Sequence, residues 1–185
     1  MNFFFARLAV AARRPDALVS ALASQRKILW ATFTGLFGLP MNQVIAISHG
    51  SPVHPPADAE VVDAGPWQPT ARPTTTAPLS EPGLYVLRHF AVAPADVDEF
   101  VALSSAAWPA FEGDGEFATL PRGLFHGGVA ADGTVSMQLV TWYDSFASWE
   151  RSRAPAPQAA ENFRRRHALT RATSAMALRL ADSPG

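Results

Sequence analysis

The sequence predicts an α+β protein in which two βαββ-type units close on one another as an antiparallel barrel. Three observations carry this expectation. Runs with strand-type alternation take turns with runs of i, i+3, i+4 helical spacing. The order strand, helix, strand, hairpin turn, strand occurs twice. Short stretches of the two copies also match residue for residue.

Residues 2–11 (NFFFARLAVA) read as a strand buried on both faces, with Phe3, Phe5 and Arg7 opposite Leu8 and Val10. Pro15 and Asp16 open a helix that fades near Lys27, since proline is tolerated in a first turn. Residues 28–38 and 43–49 read as strands joined by the turn Leu39-Pro40-Met41-Asn42. Residues 51–83 hold eight of the sixteen prolines. Proline lacks an amide donor, so this segment reads as a connector with an edge strand at Arg72–Leu79. Residues 84–93 are a strand again. Residues 95–111 form a helix with Val97, Phe100, Val101, Ser104, Trp108 and Phe111 on one face. A polar loop follows at Glu112–Glu116. Strands at 122–130 and 134–143 meet at Asp132-Gly133, which predicts a type I′ turn. Helices at 145–153 and 158–170 precede a closing strand at 173–181.

Aligned 82 residues apart, Leu8-Ala9-Val10-Ala11 lies on Phe90-Ala91-Val92-Ala93, Asp16 on Asp98, and Leu18-Val19 on Phe100-Val101. Gly35-Leu36-Phe37 matches Gly123-Leu124-Phe125 at an offset of 88. Agreement between local residues and element order favours an internal repeat over chance. A βαββαβ unit is the ferredoxin-like arrangement. The expectation is therefore tandem ferredoxin-like halves at 1–50 and 84–185, joined by the 51–83 connector and fused into one α+β barrel. The connector replaces the second helix of the first half.

Composition excludes more than it selects. The 185 residues are 48% hydrophobic and 17% charged, with net charge −1, so no basic footprint for nucleic acid is present. Zero cysteines remove disulfides, thiolate metal sites and cysteine nucleophiles. No apolar run reaches 18 residues, and Arg7 interrupts the apolar start, so neither a membrane span nor a signal peptide is expected. A soluble, cytoplasmic protein is the expectation. No G-x-G-x-x-G, Walker lysine or G-x-S-x-G occurs. No cofactor and no metal site are expected; His49 and His54 lack companion ligands at metal spacing.

The segments Gly83-Leu84-Tyr85-Val86-Leu87-Arg88, Pro94-x-x-Val97-Asp98-Glu99-Phe100 and Trp142-Tyr143-Asp144-Ser145 resemble the NIPSNAP family within the dimeric α+β barrel superfamily. The resemblance covers the second half well and the first half faintly. It implies a stable α+β domain with a lean toward homodimers. It supplies no catalytic residues, while relatives in the wider superfamily include cofactor-independent monooxygenases, haem-degrading enzymes and isomerases.

Strand parity puts Arg7 and His89 on matching faces of the first strand of each half. With Tyr85 and Tyr143 they are candidates to line a shared cavity for a small hydrophobic molecule. His89 is the candidate catalytic base, because imidazole exchanges protons near neutral pH. His126, before Gly127-Gly128, is a further ligand-binding candidate. The competing reading makes these residues satisfied core or rim groups. Arg164-Arg165-Arg166-His167 reads as a solvated helix face balanced by Glu150 and Glu161. Trp30, Trp108, Trp142 and Trp149 read as core. The leading functional expectation is a small-molecule-binding or interaction domain with no demonstrable chemistry. The alternatives are a cofactor-independent monooxygenase or isomerase acting on a small hydrophobic or aromatic substrate, and a non-catalytic protein-interaction scaffold.

Overall fold

The computed structural model of the chain describes residues 1–112, 118–154 and 157–181. Eight strands are present: β1 (Phe3–Val10), β2 (Leu29–Phe37), β3 (Gln43–His49), β4 (Ala59–Pro69), β5 (Leu84–Val92), β6 (Thr119–Val129), β7 (Val135–Tyr143) and β8 (Thr170–Leu180). The helices are α1 (Asp16–Ala23), α2 (Val97–Ala107), α3 (Pro109–Glu112), α4 (Phe146–Arg151) and α5 (Pro157–Ala168). A 3-10 turn at Pro94–Asp96 leads into α2. The expected polar loop at Glu112–Glu116 and the side chain of Phe111 fall largely outside the described residues.

The strands form one closed antiparallel ring in the order β1-β3-β2-β8-β5-β7-β6-β4. Each half has the ferredoxin-like order, with its last strand beside its first: β4 on β1, β8 on β5. The same last strands reach across to the other half, β4 to β6 and β8 to β2. Every neighbour is antiparallel, so β1 and β5, four steps apart, run in the same direction along the barrel. Their carboxyl ends emerge at one end of it.

Side-chain alternation then divides the molecule into layers. Phe3, Phe5, Phe33, Tyr85, Leu87 and Phe125 point inward and fill the barrel axis. Phe125 meets Phe3 and Phe5 edge-on at 5.1 Å and Trp30 at 5.7 Å, the favourable quadrupole geometry. On the outer face, Leu8, Val44 and Ala46 pack under Leu18 and Leu22 of α1. Phe90, Val92, Met137 and Leu139 pack under Phe100 of α2, with Trp108 just beyond its end. A single eight-residue helix covers the first half, whereas α2 to α5 cover the second. The α4 start is capped by Ser145, whose Oγ accepts from the Ser148 amide at 3.2 Å.

Three local expectations are corrected. The Pro-rich segment carries its strand at Ala59–Pro69, not at Arg72–Leu79. That strand is a ring member rather than an edge. It pairs with β1 throughout but with β6 only at Gln68 and Pro69, a sparse ladder that tolerates Pro66 and Pro69. The Asp132-Gly133 hairpin is not a type I′ turn. Gly133 has φ +78°, but Asp132 does not adopt positive φ. Gly133 N–H bonds Ala130 O at 2.9 Å, and Asp132 Oδ1 accepts from the Thr134 amide and hydroxyl. A longer loop closed by one left-handed glycine results. Finally, the ladders place Leu8 opposite Val44 and Val44 opposite Thr34, while Phe90 lies opposite Met137 and Met137 opposite His126. With Leu8 matched to Phe90, Thr34 therefore matches His126, and the Gly35-Leu36-Phe37 match to Gly123-Leu124-Phe125 is out of register. Phe33 shares the inward role of Phe125, while Phe37 is 68% exposed.

After β4 the chain crosses the end of the barrel opposite the β1 and β5 carboxyl ends. Thr70 N–H bonds Leu124 O at 2.8 Å and Leu79 N–H bonds Trp30 O at 2.8 Å. The Tyr85 hydroxyl donates to Glu81 O at 2.8 Å. Leu79 packs on the axial core. This end is sealed. Because Phe125 is fully buried at the meeting point of three rings, Phe125→Ala should destabilise the protein by about 3–5 kcal/mol. Urea unfolding with an unchanged m-value checks this; a loss under 1.5 kcal/mol would show that the axial stack rearranges freely.

Candidate functional site

Strand β5 separates two cavities. Arg88 projects to the helix side and His89, the next residue, to the barrel side.

The barrel-side cavity lies at the open end and has a volume of about 450 Å³. It exists because β4 and β6 diverge beyond the Gln68–His126 pair, where β6 is irregular between His126 and Val129. Arg7 and His89 both line it, as do Asp63, Ser136, Gln138 and Ser174. Cross-strand register explains the grouping: Arg7 lies opposite Asp63, and His89 opposite Gln138 and Ser174. Phe5, Leu87, Trp67 and Met176 give the apolar floor and walls. Gly127 lets the Trp67 ring approach, since a Cβ there would lie 3.1 Å from two ring carbons. Arg7 Nε and Gln138 Oε1 are buried without a hydrogen-bond partner. Burial alone pushes the His89 pKa below its ordinary 6.5, so the ring is neutral at pH 7.

The helix-side cavity, about 470 Å³, lies between the outer face of β5, β6 and β7 and the helical layer of the second half. Its cations are Arg88, Arg153 and Arg166, and His167 also lines it. Among the described residues, no carboxylate does. Trp108, Leu139, Tyr143 and Phe163 supply apolar surface, and Thr119, Thr141 and Ser152 supply hydroxyls. Arg166 is only 9% exposed. Its guanidinium sits 4.9 Å from the Phe163 ring centre and 5.2 Å from that of Phe90, with the Ser104 hydroxyl 3.4 Å away. Burial, and secondarily the charge of Arg88, lowers its pKa to about 10. It therefore remains charged at pH 7.

The nearby acids are engaged elsewhere. Glu99 pairs with Arg165 at 2.8 Å, Glu161 with Arg164, and Glu112 with Arg72. Arg72 also lies over the Trp108 ring at 4.8 Å. Among the described residues, no carboxylate is within ion-pair reach of Arg88 or Arg166.

The sequence-predicted residues are thus divided. Arg7 and His89 meet in one cavity. Tyr85 does not reach it; its hydroxyl points to Glu81 O at the connector end, and burial raises its pKa. Tyr143 lies on the outer face and lines the helix-side cavity instead. His126 pairs with outward-facing Met137 and lines neither cavity; its Nδ1 lies 3.2 Å from Gly127 O. Arg166 was missed because the run Arg164–His167 reads as solvated. The signal was Ala159, Asn162, Phe163 and Arg166, whose i, i+3, i+4, i+7 spacing marks the inner face of α5. Arg88 carried no such signal. Among the described residues, no cluster of three or more potential metal ligands occurs.

No family model and no curated protein matches the sequence. Solved structures share its fold at low identity. A provisionally named monooxygenase from Lactobacillus acidophilus is 10% identical, with TM-score 0.60 over 98% of this chain and 99% of that one. A ferredoxin fold protein related to antibiotic biosynthesis monooxygenases, from Listeria monocytogenes, is 10% identical, with TM-score 0.57 over 98% and 95%. A heme-degrading enzyme from Listeria monocytogenes is 9% identical, with TM-score 0.55 over 95% and 98%. These likenesses establish the ferredoxin-like α+β architecture. Among the described residues, no helix is long and apolar enough to cross a membrane.

His89 gives a pH prediction. Folding disfavours its charged form, so the unfolded chain holds that proton to a higher pH than the folded chain. Its contribution is complete above the ordinary pKa of 6.5 and is lost as pH falls from there toward the lower folded value. Urea midpoints at pH 7.5 and 5.5 should fall less in His89→Gln than in the wild type. Equal falls would mean that His89 titrates as in the unfolded chain.

Proposed function

We propose that this chain is a small-molecule-binding domain whose helix-side cavity takes a hydrophobic anion. The observation that carries this reading is the convergence of Arg88 and Arg166 in a cavity whose neighbouring carboxylates are bound to other arginines. A buried cation without a counter-ion is costly, and a second cation nearby adds repulsion. A ligand carboxylate or phenolate removes both penalties and gains charge-assisted hydrogen bonds. The aromatic and aliphatic lining accepts an apolar body, and the volume suits a compact ring system.

Membership of the NIPSNAP type belongs to the same proposal. It draws support from the Tyr85–Arg88, Pro94–Phe100 and Trp142–Ser145 segments, which form β5, the α2 entrance and the β7–α4 junction. Division into halves at 1–50 and 84–185, a cytoplasmic location and homodimer formation are further parts of it.

A cofactor-independent monooxygenase or isomerase acting on a small hydrophobic or aromatic substrate is the second reading. His167 supports it: its exposed imidazole lines the same cavity, where the arginines can hold an enolate or phenolate once a proton is removed. The monooxygenase names among the structural neighbours point the same way. His89 lies on the other side of the sheet and is not the base for this cavity. An interaction scaffold with a filled barrel has less support, since the barrel mouth holds a cavity of about 450 Å³.

Calorimetric titration with 2-naphthoate and with its neutral analogue 2-acetylnaphthalene tests the proposal. The carboxylate should bind at least about tenfold more tightly, a difference of about 1.4 kcal/mol. Arg88→Met should weaken that preference, with Arg166 still charged, and should affect the carboxylate far more than the neutral analogue. Equal affinities in the wild type would refute an anion site.

A further inference from the structure

The cavity at the open end of the barrel is a different chemical environment from the helix-side one, although a single strand divides them. Its lining holds one cation, Arg7, and one anion, Asp63, which face each other across the β1–β4 ladder. The formal charge of the lining is therefore balanced, with a neutral His89 ring beside it. A net anion has no excess of positive charge to meet here.

Two lining atoms show what is missing. Arg7 Nε is a buried donor with no acceptor, and Gln138 Oε1 is a buried acceptor with no donor. A buried polar group left unpaired keeps its desolvation penalty and gains nothing in return. They belong to pseudo-equivalent levels of the two halves, since Arg7 and His89 match and Gln138 lies directly opposite His89. Trp67 and Phe5, 5.2 Å apart, supply flat apolar surface next to these polar groups.

We propose that the barrel mouth is a second ligand site, for a small uncharged ring bearing both a hydrogen-bond acceptor and a donor, as in a lactam or cyclic amide. The ligand carbonyl accepts from Arg7 Nε, and its N–H donates to Gln138 Oε1. The ring lies against Trp67 and Phe5. The gap between β4 and β6 beyond Gln68 and His126 opens this cavity to solvent. This site is independent of the anion site. The lining is cationic on one face of β5 and balanced on the other, which gives the two cavities different preferences.

The probe is 2-pyridone, compared with 2-naphthoate and toluene, in NMR titrations that follow the His89 ring and the Gln138 side-chain amide. Saturable shifts at both groups are expected with 2-pyridone and not with the other two compounds. Gln138→Leu should weaken 2-pyridone at least tenfold, while the unfolding midpoint of the free protein stays the same or rises. Removing an unpaired buried acceptor relieves the free protein, whereas removing a structural hydrogen bond lowers its midpoint. The proposal is overturned if 2-pyridone gives no saturable shift at His89, if toluene shifts the same resonances equally, or if Gln138→Leu binds as well as the wild type. The wild-type titration decides the matter even if that variant does not fold. Failure of naphthoate to bind on the helix side leaves it unaffected.

Discussion

The barrel depends on an exchange of last strands. A four-stranded ferredoxin-like sheet presents two exposed ladder edges, which invite pairing with other chains. Here β8 is hydrogen-bonded to β5 in its own half and to β2 in the other, and β4 does the same for β1 and β6. Closure forces the inner faces together, and that is why Phe3, Phe5, Phe33 and Phe125 meet on the axis. It also forces the outer faces to find helices. Both cavities arise where this scheme is incomplete: one where the β4–β6 ladder stops short, the other where helices stand off the sheet around buried cations.

The two seams are unequal. Strand β8 pairs with β2 from Phe33 to Phe37, across a bulge. Strand β4 meets β6 only at Gln68 and Pro69, supplemented by Thr70 and Arg72 bonding Leu124. Proline content accounts for much of the difference, since Pro66 and Pro69 carry no amide hydrogen. A sequence feature that reads as mere interruption thus sets where the wall is thin.

The fold class and most elements were legible because each rests on periodicity and local turn chemistry. The parity of β1 and β5 placed Arg7 and His89 on inner faces without any tertiary information. Register was not legible in the same way. The Gly-Leu-Phe match was plausible locally, but only the ladders through Val44 and Met137 fix which residues correspond. The β4 strand was hidden because proline argues against a strand unless one flank of the ladder is sparse. Tyr143 was placed with Tyr85 although they project to opposite faces of the sheet. Arg166 was readable only from its place on the Ala159, Asn162, Phe163 face of α5, which packs along α2, whereas a charged run normally faces water. Charge balance within a cavity is a property of three or four elements at once, and no single segment encodes it.

The connector from Thr70 to Gly83 spans one end of a barrel whose two ends already differ, because β1 and β5 run the same way. The pseudo-twofold that relates the halves therefore lies along the barrel axis and does not exchange its two ends. The crossing chain, tied to Leu124 and Trp30, stops one of them. With its axis also filled by Phe3, Phe5, Phe33 and Phe125, the barrel is a cup and not a pipe. Whatever enters its interior must leave by the way it came, so successive occupants exclude one another. Exchange then runs at the pace of departure, with no through-flow to push a bound molecule out.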